Sequence, residues 1–108
     1  MEHAFWQEKL VEFFESKGFN AEKEVYTEGH HVDVVARNAL ESIAMELETG
    51  KSDVVANVDK CLSSGFDKVY SVALPSFSID KLEAKLEQFK NNPKFEVKSI
   101  KEFPIFRD

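Results

Sequence analysis

The sequence predicts an α/β domain: a mixed central sheet flanked by helices, in the order α-β-β-β-α-β-α-β. Three observations carry this reading. Apolar residues recur at helical spacing in three segments and alternate or run together in five others. Gly, Asn and Pro fall between those segments. Hydrophobic residues make up 43% of 108 residues, with ten Phe, one Trp and two Tyr, enough to bury a core in one small domain.

Residues 5–17 form the first predicted helix. Trp6, Leu10, Phe13 and Phe14 share one face, and Glu8, Glu12 and Glu15 share the other. Gly18 is a natural stop after Lys17. A first strand is predicted over 19–26, followed by a turn from Thr27 to Gly29. Val32–Arg37 is a second strand and Asn38–Glu41 a tight connection. In Ser42–Glu48, Ile43, Met45 and Leu47 alternate with Ala44, Glu46 and Glu48, which marks a third strand. Thr49 and Gly50 end it. A second helix is predicted from about Ser52 to Ser63, with Ser52 or Asp53 as its cap and Val54, Val55, Val58, Cys61 and Leu62 as its apolar stripe. Gly65 closes it. Lys68–Leu74 reads as a buried strand, parallel to a neighbour because a helix precedes it. Ile79–Lys90 is a third helix with Ile79, Leu82, Leu86 and Phe89 inward, broken by Asn91, Asn92 and Pro93. Phe95–Ile100 is the last strand, and Phe103 to Phe106 an apolar tail that either covers the core or forms a subunit interface. Linkers, repeats and low-complexity segments are lacking, so residues 1–108 read as one domain.

Composition excludes several classes. The apolar content is too high for a disordered chain. No apolar run approaches the ~18 to 20 residues of a membrane span. The first ten residues lack the basic start and apolar stretch of a signal peptide. A single cysteine, Cys61, rules out an internal disulfide framework and fits a reducing, cytoplasmic setting. The net charge of −6 argues against a basic nucleic-acid-binding surface, but it is unevenly spread. Residues 1–50 carry eleven acids and four bases; residues 51–108 carry nine acids and ten bases.

Some polar residues do not fit a plain core. Asp33 interrupts the apolar run Val32–Ala36, where an ionised carboxylate must sit at an edge, be paired, or ligate metal. Glu46 and Glu48 point to one face of their strand, about 6 to 7 Å apart. At an effective dielectric of ~20 they repel by roughly 2 to 3 kcal/mol. Water would relieve this if they form the solvent face of an amphipathic strand. So would a hard divalent cation, which favours oxygen ligands. Counting outward from a turn near residues 39–40 places Asp33 opposite about Glu46. Like charges directly across two strands destabilise the pair, which favours the cation. Gly50-Lys51-Ser52 resembles the end of a phosphate-binding loop, but the glycine required five positions earlier is Met45, so a nucleotide site is not indicated. Lys51 lies just beyond Glu48. Asn57 and Lys60 share one face of the following helix. Cys61 and Trp6 read as core residues, and His30 and His31, before the Asp33 strand, read equally as turn residues or as groups that touch phosphate or support a ligand.

These residues resemble the core of the PD-(D/E)xK nuclease superfamily, the restriction-endonuclease-like fold shared with archaeal Holliday junction resolvases. The resemblance covers about residues 5–74. It rests on Gly18-Phe19 ending a helix, then Val32-Asp33-Val34-Val35-Ala36, then Met45-Glu46-Leu47-Glu48. The stretch from Glu48 to Val72 also resembles nuclease-like domains attached to mobile-element ATPases and helicases. The resemblance implies that Asp33 is the metal-binding aspartate and Glu46 the acid of the (D/E)xK motif. Glu48 stands where the motif has lysine. Some members are active with this ExE pattern, and in others the lysine role migrates; Lys51 and Lys60 are the candidates here. A helix-borne acid of the family falls on Gln7 without a gap, or on Glu8 if the helix is shifted, and Asn57 is a further auxiliary candidate. The implied activity is hydrolysis of DNA phosphodiester bonds, with Asp33, Glu46 and Glu48 holding Mg²⁺ or Mn²⁺. The implied alternative is a catalytically inactive module that contacts DNA or a partner ATPase or helicase. A homodimer is a further implied partner, since the acidic first half limits the grip of an isolated domain on phosphates.

Overall fold

The computed structural model describes residues 2–104. Its elements are α1 (Glu2–Ser16), β1 (Asn20–Thr27), β2 (His30–Arg37), β3 (Ser42–Glu48), α2 (Val54–Ser63), β4 (Lys68–Ala73), α3 (Ile79–Lys85) and β5 (Phe95–Ser99). Short 3-10 turns follow α3 at Glu87–Phe89 and β5 at Ile100–Glu102. The five strands form one mixed sheet in the order β1-β2-β3-β4-β5. β1–β2 and β2–β3 pair antiparallel; β3–β4 and β4–β5 pair parallel.

The sheet has an apolar core on each face. On one side Trp6, Leu10 and Phe14 of α1 pack over Val34, Ala36, Ile43, Met45, Leu47 and Val72. On the other, Val54, Val58 and Cys61 of α2 and Leu82 of α3 pack over Val35, Ala44, Val69 and Ala73. The two crossover helices thus share a face, as parallel strands laid down in one direction require. Central β3 and β4 are buried on both faces, so Glu46 and Glu48 are 5% and 1% exposed. They are not the solvent face of an amphipathic strand.

Local chemistry sets the boundaries. Asp53 caps α2 by accepting the Ala56 N–H at 3.1 Å, which starts the helix at Val54. α3 tightens at Leu86, whose N–H is shared between the carbonyls of Leu82 and Glu83, and continues as a 3-10 turn rather than as α-helix to Lys90. Ser99 and Glu102 form a reciprocal cap, so Ile100 leaves the strand and opens a new turn. α1 starts at Glu2, three residues earlier than its apolar stripe indicates. β2 starts at His30, which places His30 and His31 inside the strand. Phe103 is buried against the α1 core, whereas Ile105 and Phe106 lie outside the described residues. No helix among the described residues is long and apolar enough to cross a membrane.

Two connections position the site. Between β2 and β3, Asn38 Oδ1 accepts the N–H groups of Leu40 (2.8 Å) and Glu41 (2.9 Å), which fixes the register Val34↔Met45. After β3, Gly50 takes φ +91°, and the Phe77 ring lies 3.1 Å from where a Cβ would stand. Gly50→Ala is therefore expected to destabilise the domain by about 1 to 3 kcal/mol. Gly29 has a similar φ (+86°) but open space around it, so Gly29→Ala should cost less. Urea unfolding of the two variants measures the difference, and equal losses would exclude the Phe77 contact as a cause.

Candidate metal centre

The site begins where the regular ladder fails. β2 pairs with β3 as far as Val34↔Met45, and the next rung sets Asp33 opposite Glu46. On the other side Lys23↔Val34 and Val25↔Val32 flank an unpaired rung that sets Glu24 opposite Asp33. Glu24 has φ +54°, a left-handed conformation that interrupts β1 there. Val32 belongs to the core under α2 and α3, yet Val34 belongs to the core under α1. Residues two apart on a regular strand share a face, so the alternation of β2 breaks at Asp33.

The Asp33 side chain takes over part of the ladder. Its Oδ2 accepts the Leu47 N–H at 2.8 Å, and the Asp33 N–H donates to Glu46 Oε2 at 3.3 Å. The His3 Nε2 of α1 reaches the same Oδ2 at 3.2 Å. Cys61 of α2 directs its thiol at Glu46 Oε2, 3.8 Å away. Asp33 Oδ1 and Glu46 Oε1 keep no protein donor among the described residues. Both side chains line a cavity of about 410 Å³ together with His3, His31, Lys51 and Asn57. His3 and Lys51 also line an adjoining cavity of about 640 Å³.

Burial and mutual repulsion dominate the electrostatics. Burial, then the charge of Asp33, pushes the Glu46 carboxyl from its ordinary 4.5 up to about 9. Burial also raises Asp33, opposed by the Leu47 N–H and by His3. Glu48 is raised by burial against the hydrogen bonds of Ser52 and Asn57. The Cys61 thiol is pushed up by burial and by Glu46, which keeps it a protonated donor.

The carboxylates do not act alike. Glu48 is expected among the metal ligands, but its oxygens are engaged under α2: Oε1 accepts from Ser52 Oγ at 2.7 Å and Oε2 from Asn57 Nδ2 at 3.2 Å. It does not line the 410 Å³ cavity. Asn57 lines the cavity and holds Glu48 at the same time. Lys51 is exposed on the cavity wall. Lys60 is exposed on the last turn of α2 and does not line the cavity, because its position on the helix is turned away from the inward stripe Val54, Val58 and Cys61. Glu8 points to solvent and pairs with Lys23 at 2.6 Å, so it takes no part in the site. Gln7 is buried, and its Nε2 donates to Glu24 Oε2 at 2.6 Å and to the Asp33 carbonyl at 3.0 Å. An amide there braces the broken rung instead of adding a carboxylate.

His3, Glu24 and Ser71 escape the sequence reading. His3, Glu24 and Asp33 bring one ligand atom each within 4.8 Å of one another. His3 is one helical turn before Gln7, outside the segment whose apolar stripe identifies the helix. Glu24 was within reach of counting: a two-residue turn at Glu28-Gly29 sets it opposite Asp33. Ser71 is the register partner of Glu46 on β4, fully buried, with an unpaired hydroxyl.

The donor set at the cavity is chemically suited to a hard cation. Asp33 and Glu46 offer free carboxylate oxygens, the kind Mg²⁺ and Mn²⁺ select. Among the described residues no lysine or arginine forms an ion pair with either acid.

No protein-family profile and no curated protein matches the chain. One solved structure similar to it is the protein of unknown function AF1548, with a TM-score of 0.58 at 15% identity. The match covers 87% of this chain and 57% of that one, so this chain corresponds to little more than half of its neighbour's length. At that identity the likeness speaks for the fold alone, a mixed α/β sheet with three helices.

The raised carboxyls give a pH dependence of definite sign. Between 4.5 and about 9 the folded protein holds a proton on Glu46 that the unfolded chain releases. Stability of the metal-free protein is therefore full below the lower value and lost as pH rises through the upper one. The slope is bounded by about 1.4 kcal/mol per pH unit for each such group. Glu46→Gln should flatten this slope in urea unfolding with EDTA. An unchanged slope in the variant would remove Glu46 as its source.

Proposed function

We propose that this domain is a metal-dependent DNA endonuclease of the PD-(D/E)xK type, with a restriction-endonuclease-like core. One observation carries the reading. Asp33 and Glu46 meet at the broken rung between β2 and β3, and both line a cavity that Lys51 also lines. Motif order and spacing support it, since the two acids come from the segments that resemble the family's strands.

Asp33 and Glu46 would hold Mg²⁺ or Mn²⁺, and the bound cation would supply polarisation of the phosphate and a more acidic water. The chain does the rest. Leu47 N–H and His3 fix the Asp33 carboxylate, and Asp33 N–H fixes Glu46. Lys51 offers a positive charge to the phosphorane-like state, in place of the motif lysine. Glu48 is proposed as a brace: engaged by Ser52 and Asn57, it holds the start of α2 against β3.

A second reading has its own observation. Glu48 replaces the motif lysine, and its oxygens are engaged by neutral donors, so the fold would persist as an inactive module contacting DNA or an ATPase or helicase partner. The acidic first half of the chain suits weak DNA binding in both cases, with grip supplied by a second copy or by another domain.

Cleavage of supercoiled plasmid, single strands and four-way junctions in Mg²⁺ or Mn²⁺ separates the two. Asp33→Asn and Glu46→Gln should each lower the rate on the order of 100-fold, and Lys51→Ala about 10-fold or more. Activity that survives both acid substitutions would reject the site; no cleavage by the wild type would favour the module. Mn²⁺ should also raise the melting temperature of the wild type but not of Asp33→Asn.

A further inference from the structure

We propose that Tyr26 and His31 form a stacking platform for an unpaired base of the substrate strand, which makes single-stranded or frayed DNA the preferred substrate. This rests on the nuclease reading and names the substrate form that the same site would take.

The two residues face each other across the β1–β2 ladder. Their ring centroids are 5.0 Å apart in an edge-to-face arrangement. His31 lines the carboxylate cavity, and it precedes Asp33 by two residues on β2, about 6.6 Å along the strand. Tyr26 lies beyond it with 65% of its surface exposed, among the few large apolar side chains so placed. The exposed Tyr26 ring, in contact with a residue that lines the cavity, belongs to neither core cluster.

The platform is rigid. The hairpin closes in two residues, with Glu28 at φ +44° and Gly29 at φ +86°, the turn that matches the twist of paired strands. Behind the rings the Val25↔Val32 rung is tied to the core, with Val32 fully buried. A rigid ring loses little freedom when a base settles on it.

Charge explains why stacking is needed. With 20 acids against 14 bases, ionic contact with phosphates cannot supply much affinity. Base–aromatic stacking is independent of net charge and tolerant of sequence. It requires an open base face. Bases in a duplex cover one another, so a single projecting pair of rings selects an unpaired nucleotide next to the phosphate in the cavity.

The test uses the full chain in Ca²⁺ without Mg²⁺, and two fluorescein-labelled probes: a 12-nucleotide single strand and a blunt duplex of the same sequence. Anisotropy should show tighter binding of the single strand. Tyr26→Ala should weaken that binding about tenfold and leave the duplex unchanged, while Tyr26→Phe retains it. Tyr26→Leu keeps the apolar surface without the ring and should behave like the alanine variant. Equal losses on both probes, wild-type binding by Tyr26→Ala, or no single-strand binding by the wild type would each overturn the platform. The Asp33→Asn cleavage assay is read separately: loss of plasmid cleavage there with unaltered Tyr26→Ala binding would reject the platform and spare the nuclease reading. Altered Tyr26→Ala binding without any cleavage would do the reverse.

Discussion

The hydrogen bond from the Leu47 N–H to Asp33 Oδ2 is the contact around which the site is built. A ladder partner for that N–H would have come from the backbone of β2. Instead β2 turns its alternation at Asp33, and a side chain supplies the acceptor. A buried N–H left without one would be costly, so the carboxylate is held where the rung fails. Two consequences follow from the same contact. The regular β2–β3 ladder ends there, beside the cavity that Asp33, Glu46 and Leu47 line. Asp33 is also brought against Glu46, so two acids face each other with little water to separate them.

The rest of the structure supports that unfavourable pair. α2 covers the face of β3 that carries Glu46 and Glu48, and it treats the two differently. Glu48 meets Ser52 and Asn57, two neutral donors that satisfy it. Glu46 meets a thiol and a single backbone N–H, both at Oε2, and lines the cavity. On the opposite side α1 contributes Gln7 and His3, which brace Glu24 and Asp33. A polar seam therefore crosses three strands at one level, between two apolar cores. Such a seam lowers stability at neutral pH, and it is the arrangement a divalent cation would relieve.

Much of this was legible in the sequence. Ser42–Glu48 is an alternating strand, and its boundaries in the structure are the same. Val54, Val58 and Cys61 give α2 its inward stripe by spacing alone. Counting from the Asn38–Glu41 turn brings Asp33 level with Glu46, because an antiparallel register follows from where its turn lies. Lys60 and Glu8 show the limit of such counting. Both fall near the acids in sequence or in alignment, yet the rotation of each helix carries them to solvent.

The sequence by itself determined the elements, their order along the chain and the meeting of two acids across adjacent strands. These depend on period, turn chemistry and neighbour pairing, all of which are local or nearly so. Only the tertiary structure decided which carboxylate oxygens stay free. That depends on partners from other layers: Asn57 on α2 for Glu48, and His3 and Gln7 on α1, up to thirty residues from Asp33. Side-chain reach across packed layers leaves no periodic trace in a sequence, so Glu46 and Glu48 look equivalent until α2 is seen to cover them.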